Sequence, residues 1–151
     1  MTARNTWVSK TSRPVMVAVA AAMLTMGAWP AFASADVQAA SLGALPGGRF
    51  SFALAANNVG QVVGQSEVAG GVSHPFLWTK SGGMIDLGLP PGDTQGFATG
   101  INDAGQVSGD SIDNTAGIQR AFVWSPTDGM LDLGSLPGGT NAVTKAINSS
   151  G

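Results

Sequence analysis

The sequence of 151 residues has no cysteine, a single histidine and few charged residues, which make up 11% of the chain. The absence of cysteine excludes a disulfide framework, a thiolate metal site and a cysteine acceptor for a lipid. With one histidine, a zinc site would need mostly carboxylate ligands, which is an uncommon set. The chain does have 44% apolar residues and 22 glycines, a composition typical of a folded chain with many turns.

The start of the chain has the order of a secretory signal peptide. Three basic residues precede an uncharged apolar stretch at 14–29, and the small residues Ala33-Ser34-Ala35 follow it. The apolar stretch is shorter than the roughly 20 residues that cross a bilayer as a stable helix. We therefore predict a signal helix within 1–35, Sec-type export, cleavage after Ala35 and no transmembrane span afterwards. A retained membrane anchor is the alternative.

Cleavage changes the charge balance of the chain. It removes Arg4, Lys10 and Arg13 and leaves four basic residues against nine acidic ones, a net charge of −5. Because nucleic-acid affinity depends mainly on Lys and Arg that neutralise phosphates, we do not expect nucleic acid as a partner. We expect a protein or glycan surface instead, met by a chain that is secreted, periplasmic or at the cell surface.

The part after the signal segment repeats itself. A connector rich in Leu, Gly and Pro occurs at 42–48, 87–92 and 133–139, at spacings of 45 and 46 residues. Between connectors the chain keeps the order of an Asn-x-x-Gly-Gln-Val segment, a Phe-x-Trp run and a Gly-Met-x-Asp segment. A period in this range is typical of propeller blades or solenoid turns. The predicted divisions are a linker at 36–40 and, within 41–151, the units 41–86, 87–132 and a partial 133–151.

Local signals within a unit favour four short strands. In the first unit we predict them at 51–57, 61–65, 75–79 and 84–87. The Asn-x-x-Gly segment suits a hairpin turn closed by a glycine with positive φ, and the Pro-Gly pair of the connector suits a type II turn. The residues expected to recur for structural reasons are Gly60, Gly105 and Gly151 in the hairpin turns and Asp86 and Asp132 near the fourth strand.

A four-stranded sheet of this size cannot bury its inner face alone, so neighbouring units must stack. Radial stacking gives a β-propeller and linear stacking gives a solenoid. Four strands in about 45 residues match a propeller blade, and helical spacing of apolar residues is absent after Ala40. We predict an all-β fold of repeated four-stranded antiparallel units in a propeller-like, incomplete array.

The hairpin segment, the Phe-x-Trp run and the Leu-Gly-x-Leu-Pro-Gly-Gly connector are the residues by which 41–151 resembles the HAF family of extracellular repeat proteins. That family is named for a His-Ala-Phe triplet in each unit. The triplet reads His-Pro-Phe at 74–76 and Arg-Ala-Phe at 120–122, so neither copy is intact. The resemblance implies an exported, repetitive architecture and no particular activity.

The third unit reaches its hairpin turn at Gly151, which matches Gly60 and Gly105. Closed propellers typically have 4–8 blades, and two and a half units are fewer. We therefore expect a fragment of a longer chain, with completion by association as the alternative.

Few residues offer chemistry. His74, as a general base, would need an orienting carboxylate and a nucleophile nearby, and the spacing supplies neither, so a structural role is favoured over ligand binding. Asp103, Asp110 and Asp113 could offer oxygen ligands to calcium, but their spacing is not that of an EF-hand. Roles in the hairpin turn and after the following strand are favoured, with calcium as the only cofactor considered.

The aromatic residues of the two Phe-x-Trp runs alternate along a strand, so that Phe76 and Trp78 share one side, as do Phe122 and Trp124. We expect them to fill the space between units. The alternative is that Trp78 and Trp124 form an exposed strip that stacks on sugar rings.

Three functions follow from these observations. The preferred one is an exported repeat scaffold that acts through surface contacts, as a surface-associated or partner-binding protein, and it is favoured over an enzyme. The alternatives are a carbohydrate-binding propeller and part of an extracellular propeller hydrolase or lyase.

Overall fold

The computed structural model describes residues 40–151, which form eight β-strands and no helix. The predicted signal helix and the predicted linker up to residue 39 lie outside these residues. The all-β prediction is confirmed for the part that is described. The strands are β1 (Ser51–Ala56), β2 (Val62–Glu67), β3 (Ser73–Thr79), β4 (Gly83–Asp86), β5 (Gln95–Ile101), β6 (Val107–Asp113), β7 (Ile118–Ser125) and β8 (Gly129–Gly134).

The strands form two four-stranded sheets, in the order β1-β2-β3-β4 and β5-β6-β7-β8. Every neighbouring pair is antiparallel, and neither sheet is closed. The four strands predicted for the first unit are all present, and their ends differ from the prediction by one or two residues. Each sheet is therefore a simple meander made from one stretch of the chain.

The two sheets have the same internal register. Val62 pairs with Trp78 in the first sheet, and Val107 pairs with Trp124 in the second. The first two strands of each sheet also carry a β-bulge at the same place. The single residue by which the spacing rises from 45 to 46 lies within 113–118, where β6 meets β7, and the hairpin there gains the pair Asp113–Ile118. The other pairs of β6 with β7 keep the register of the first sheet.

The predicted hairpin turn between the first two strands is present in both sheets. The amide of Gly60 donates to the carbonyl of Asn57 at 3.3 Å, and that of Gly105 donates to Asn102 at 3.0 Å. The φ angles of the two glycines are 82° and 79°. Residues with a Cβ rarely adopt such angles, so glycine is required at the closing position.

The connectors make a second repeated turn. The amide of Gly48 donates to the carbonyl of Leu45 at 2.9 Å, and the equivalent bond recurs from Asp93 to Pro90 and from Gly139 to Leu136. In each turn the third residue is a glycine with φ between 79° and 90°. These are the features of the predicted type II turn.

Each sheet has two faces, which we call the front face and the back face. The front face carries Val62, Trp78 and Met84 in the first sheet and Val107, Trp124 and Met130 in the second. The back face carries Val63, Leu77 and Ile85 in the first sheet and Ser108, Val123 and Leu131 in the second.

The core of the molecule lies between the back face of the first sheet and the front face of the second. Its buried members are Val63, Leu77, Leu87, Ala98 and Val107, with Ala55, Ile101, Trp124 and Met130 packed against them. Since unlike faces meet, the two sheets stack head to tail.

Candidate functional site

Asn57, at the first hairpin turn, joins that turn to the next unit. Its Nδ2 donates to Gln61 Oε1 at 2.6 Å and to the backbone carbonyl of Asn102 at 2.9 Å, while its Oδ1 accepts the amide of Gln61 at 2.9 Å. One side chain thus satisfies groups of two consecutive units. Such fully bonded amides fix geometry because each lost bond leaves a polar group unpaired.

The same arrangement recurs one unit later. Asn102 Nδ2 donates to Gln106 Oε1 at 2.7 Å and to the carbonyl of Asn148 at 2.9 Å, and its Oδ1 accepts the amide of Gln106 at 3.0 Å. We call the series Asn57, Asn102 and Asn148 the asparagine ladder. The turn at Asn148 has the same form, since the amide of Gly151 donates to its carbonyl at 3.2 Å and Gly151 has a φ of 94°.

Asp103, a predicted calcium ligand, lies in the second hairpin turn and bonds to the first. Its two carboxylate oxygens accept the amide and the Nδ2 of Asn58, each at 2.9 Å. The hydrogen bond from the Asn58 side chain, and to a smaller extent the one from its backbone amide, lower the pKa of Asp103. The carboxylate therefore adds a second link between neighbouring turns.

The other two predicted calcium ligands have separate partners. Asp110 is buried in the middle of β6 and accepts the amide and the hydroxyl of Thr144, at 2.6 and 3.0 Å. Asp113 ends β6 and accepts the amides of Thr115 and Ala116 in the next turn. The prediction that Asp110 follows the strand is wrong, because β6 continues to Asp113. Within 40–151, no three His, Asp or Glu side chains are grouped as metal ligands.

His74 on β3 and Arg120 on β7, at equivalent positions of the two units, are each paired with the recurring aspartate. His74 Nδ1 lies 2.9 Å from Asp86 Oδ2, and Arg120 Nε lies 3.7 Å from Asp132 Oδ2. Each aspartate also accepts the backbone amide two residues further on, at 2.8 and 2.7 Å. The pair thus links β3 to the exit of β4, and β7 to the exit of β8, although the aspartate's partner differs between units.

Two further ion pairs lie where the connector enters each sheet. In the first unit Arg49 donates to Glu67, which is 3% exposed, at 2.8 and 3.0 Å. The side-chain hydrogen bonds from Arg49, and to a smaller extent the hydrogen bond from its backbone amide, lower the pKa of Glu67. In the second unit Arg120 bonds to the buried carboxylate of Asp93 instead.

An open groove of about 550 Å³ lies at one end of the first sheet, between the hairpin turn and the β3–β4 turn. The half-buried ring of Trp78 on the front face lines it, with Gln61 and Lys80 on either side. The complete lining is Val59, Gly60, Gln61, Trp78, Thr79, Lys80 and Ser81. An apolar ring between polar side chains can receive another apolar surface or a planar ligand.

The equivalent place in the second unit is covered. Trp124 packs against the core between the sheets. A Cβ on Gly105 would lie 3.5 Å from Oε1 of Gln61, so the first turn rests on the second. The structure therefore separates the two predicted aromatic ligands: Trp124 fills the space between units and Trp78 lies at the open groove, while His74 is paired with Asp86.

Comparison of the chain with protein-family models, with curated proteins and with solved structures finds no match. Within 40–151 there is also no helix long and apolar enough to cross a membrane.

Sequence reasoning missed the asparagine ladder and the pair of Arg49 with Glu67. A signal for the ladder was available, because Asn57, Asn102 and Asn148 recur at the unit spacing just before each turn glycine. The pair of Arg49 with Glu67 has no counterpart at the unit spacing, so no repeat pattern could reveal it.

Proposed function

We propose that the chain is a repeat scaffold that acts outside the cytoplasm through surface contacts, with its units arranged as successive propeller blades and the Trp78 groove as a contact site. The observation that carries the proposal is the difference between two equivalent tryptophans. Trp124 is covered by the preceding unit, whereas Trp78 lines an open groove. The front face of the first sheet is therefore built for a contact that the described residues do not make.

The stacking geometry supports a blade-like arrangement. Unlike faces meet, the register is the same in both sheets, and the asparagine ladder passes from each hairpin turn to the next. Repetition of one such step is how propellers and solenoids are built. Action outside the cytoplasm is supported by the order of basic, apolar and small residues in 1–35 and by the resemblance to the HAF family.

The groove also has the chemistry of a contact surface. Val62, Trp78 and Met84 form an apolar row across the front face, and Gln61 and Lys80 lie at its end. An apolar centre with a polar rim is the usual anatomy of a protein interface. A partner with a flat apolar surface and an acidic edge would fit it.

Carbohydrate binding is the second candidate, because an exposed aromatic ring beside polar groups is also what sugar rings stack on. Trp78 with Gln61 and Lys80 offers that combination in an open groove. The scaffold proposal is preferred because the apolar row extends along three strands, β2, β3 and β4, beyond the reach of one ring.

Adhesion of coated beads tests the proposal. Beads carrying the purified chain are applied to the cells that produce it, and the fraction retained under flow is measured. We expect retention with the wild-type chain and at least a severalfold loss with Trp78→Ala. Val72→Ala, at an exposed apolar residue of the β2–β3 turn, is the matched control and leaves retention unchanged.

The outcomes separate the two candidates. Absence of retention with the wild-type chain overturns the scaffold proposal. Retention that free sugar abolishes, together with binding on a glycan array that Trp78→Ala removes, establishes the carbohydrate alternative instead.

A further inference from the structure

We propose that the Trp78 groove and the front face around it receive the back face of the second sheet of another copy of this chain, in a head-to-tail contact like the one inside the molecule. The inference rests on the proposed function and names the partner of that same site. It commits to a second copy because this chain itself carries a surface of the matching kind.

That matching surface is exposed. On the back face of the second sheet Leu131 is 61% exposed, and Leu133, just beyond it on β8, is 53% exposed. Their equivalents in the first sheet are Ile85, which stays 44% exposed, and Leu87, which is 8% exposed in the core between the sheets, so Leu133 is the residue that the same contact would bury. At one end of the stacked sheets, the front face of the first sheet is open. At the other end, apolar side chains on the back face of the second sheet are exposed.

The internal interface shows how the two would meet. Val107, Trp124 and Met130 on the front face of the second sheet cover the back face of the first. The front face of the first sheet has Val62, Trp78 and Met84 at the same three positions, so all three residues are identical. The same apolar row is therefore available to pack on the back face of the second sheet, where Ser108 and Asp110 replace Val63 and Gln65. Contacts of this heterologous kind build chains or rings of copies.

Part of the back face of the second sheet is already occupied within the molecule. Residues 140–148 run over it, with Thr144 Oγ1 at 2.7 Å from Thr99 Oγ1 and the asparagine ladder ending at Asn148. These residues make one isolated bridge, from Asn141 to Gln119, and no continuous strand. In the interface between the two sheets, β5 lies on the back face of the first sheet where residues 140–148 lie on that of the second. A second copy packed in the same geometry would place its β1 at that position, so residues 140–148 must move away.

Sedimentation of the full chain across a range of concentrations tests the contact. We expect the wild-type chain to associate as its concentration rises. Trp78→Glu disrupts the front face and Leu133→Glu disrupts the back face at the equivalent of the buried Leu87, and each variant alone is monomeric. Val72→Glu adds the same charge to an exposed apolar residue of the β2–β3 turn and associates like the wild type.

Mixing the two broken variants gives the sharpest result. The intact front face of Leu133→Glu can meet the intact back face of Trp78→Glu, so an equimolar mixture forms dimers and nothing larger. This outcome also shows that both variants are folded. A monomeric wild type overturns the proposal. So does a mixture that stays monomeric while Leu133→Glu alone dimerises, because the front faces would then pair with each other.

A disulfide tests the seating of the second copy. The chain has no cysteine, so Thr99→Cys with Thr144→Cys creates one pair at contacting side chains and fixes residues 140–148 on the sheet. Under oxidising conditions we expect association to weaken at least tenfold, and a reductant restores it. Undiminished association of the oxidised variant shows that the copies meet in another way and overturns the proposal.

Failure of this inference is distinguishable from failure of the proposed function. A chain that is monomeric at every concentration but still holds beads on cells through Trp78 has a different partner at the same groove. A chain that does neither has no contact function at Trp78.

Discussion

The first and second units share one register and one set of turns, yet they differ in what covers them. The back face of the first sheet is closed by the front face of the second, while the back face of the second is met by residues 140–148. The sequences differ accordingly: the buried position of Val63 is Ser108 in the second unit, and Gln65 is replaced by the buried Asp110. Sheets with the same order of strands thus carry an apolar interface in one place and a more polar one in the next.

The largest expected effect is a difference in the stability lost on substitution of two leucines at equivalent positions of the two units. Leu87 is 8% exposed and belongs to the core between the sheets, whereas Leu133 is 53% exposed. We expect Leu87→Ala to lower the free energy of unfolding by about 2–5 kcal/mol and Leu133→Ala to change it by no more than about 0.5 kcal/mol. Urea denaturation measures both. Equal losses at the two positions would mean that the two back faces are equally covered.

The asparagine ladder gives the next effect. Asn57→Ala leaves the amide of Gln61 without its partner and removes one of the two hydrogen bonds that the carbonyl of Asn102 accepts, and we expect a loss of about 1–3 kcal/mol. Asn58→Ala removes only the exposed side-chain bond to Asp103, keeps the bond from the backbone amide, and is the control, with a loss within about 0.5 kcal/mol.

Asn102→Ala acts on the other interface. It removes the bond to the carbonyl of Asn148, so we expect faster hydrogen exchange in 140–151, at Ala142 and Thr144 above all, whose amides are bonded to Gln119 and Asp110. Amides in the middle of β2 and β3 keep their protection. Unchanged exchange in 140–151 would show that the ladder does not hold this segment.

The ion pair of Arg49 with Glu67 in the first unit predicts that the difference in stability between the wild type and a Glu67 variant depends on pH. Arg49 lowers the pKa of Glu67, so the ionised pair stabilises the fold above the pKa of an unfolded glutamate, and the benefit is lost as the pH falls through the lower folded-state pKa. Glu67→Gln is therefore less stable than the wild type at pH 7, and the two converge in acid.

Arg49→Gln tests the same pair from the other side. It should give the same convergence, and the double variant should lose little more than either single one. Thermal unfolding from pH 7 to pH 3 measures these differences. A gap between wild type and Glu67→Gln that persists undiminished in acid would contradict the assignment.

The smallest effect has the opposite sign. Among the described residues Ser108 Oγ is the one buried side-chain atom without a hydrogen-bond partner. We expect Ser108→Ala to leave stability unchanged or to raise it by up to about 1 kcal/mol, whereas Val63→Ala at the equivalent position costs about 2 kcal/mol. Loss of more than about 1 kcal/mol on Ser108→Ala would show that its hydroxyl has a partner.

The strands, the turns and the repeat were predictable because they depend on local chemistry. A glycine that must take a positive φ, as at Gly60 and Gly105, and an apolar run between two turns are visible in the sequence itself. The end of β6 was misplaced because Asp110 is a poor strand former on local grounds, and its partner Thr144 lies 34 residues away.

The candidate site was less predictable than the fold. Trp78 and Trp124 have the same local sequence and the same strand partner, so nothing near them says that one is covered and the other lines a groove. Which tryptophan is covered depends only on the head-to-tail stacking of the sheets, in which the back face of the first meets the front face of the second. The same holds for Arg120, which bonds to Asp93 from the preceding connector.

The residue that the second unit gains between β6 and β7 shows where the molecule accommodates a change in chain length, because it adds the pair Asp113–Ile118 and leaves the other pairs in register. The β6–β7 turn lies at the end of the sheet remote from the asparagine ladder, because in a meander the first and third turns share one end and the second lies at the other. We therefore expect a peptide tag or a fluorescent label placed between Asn114 and Gly117 to report on the protein without disturbing strand pairing or the ladder.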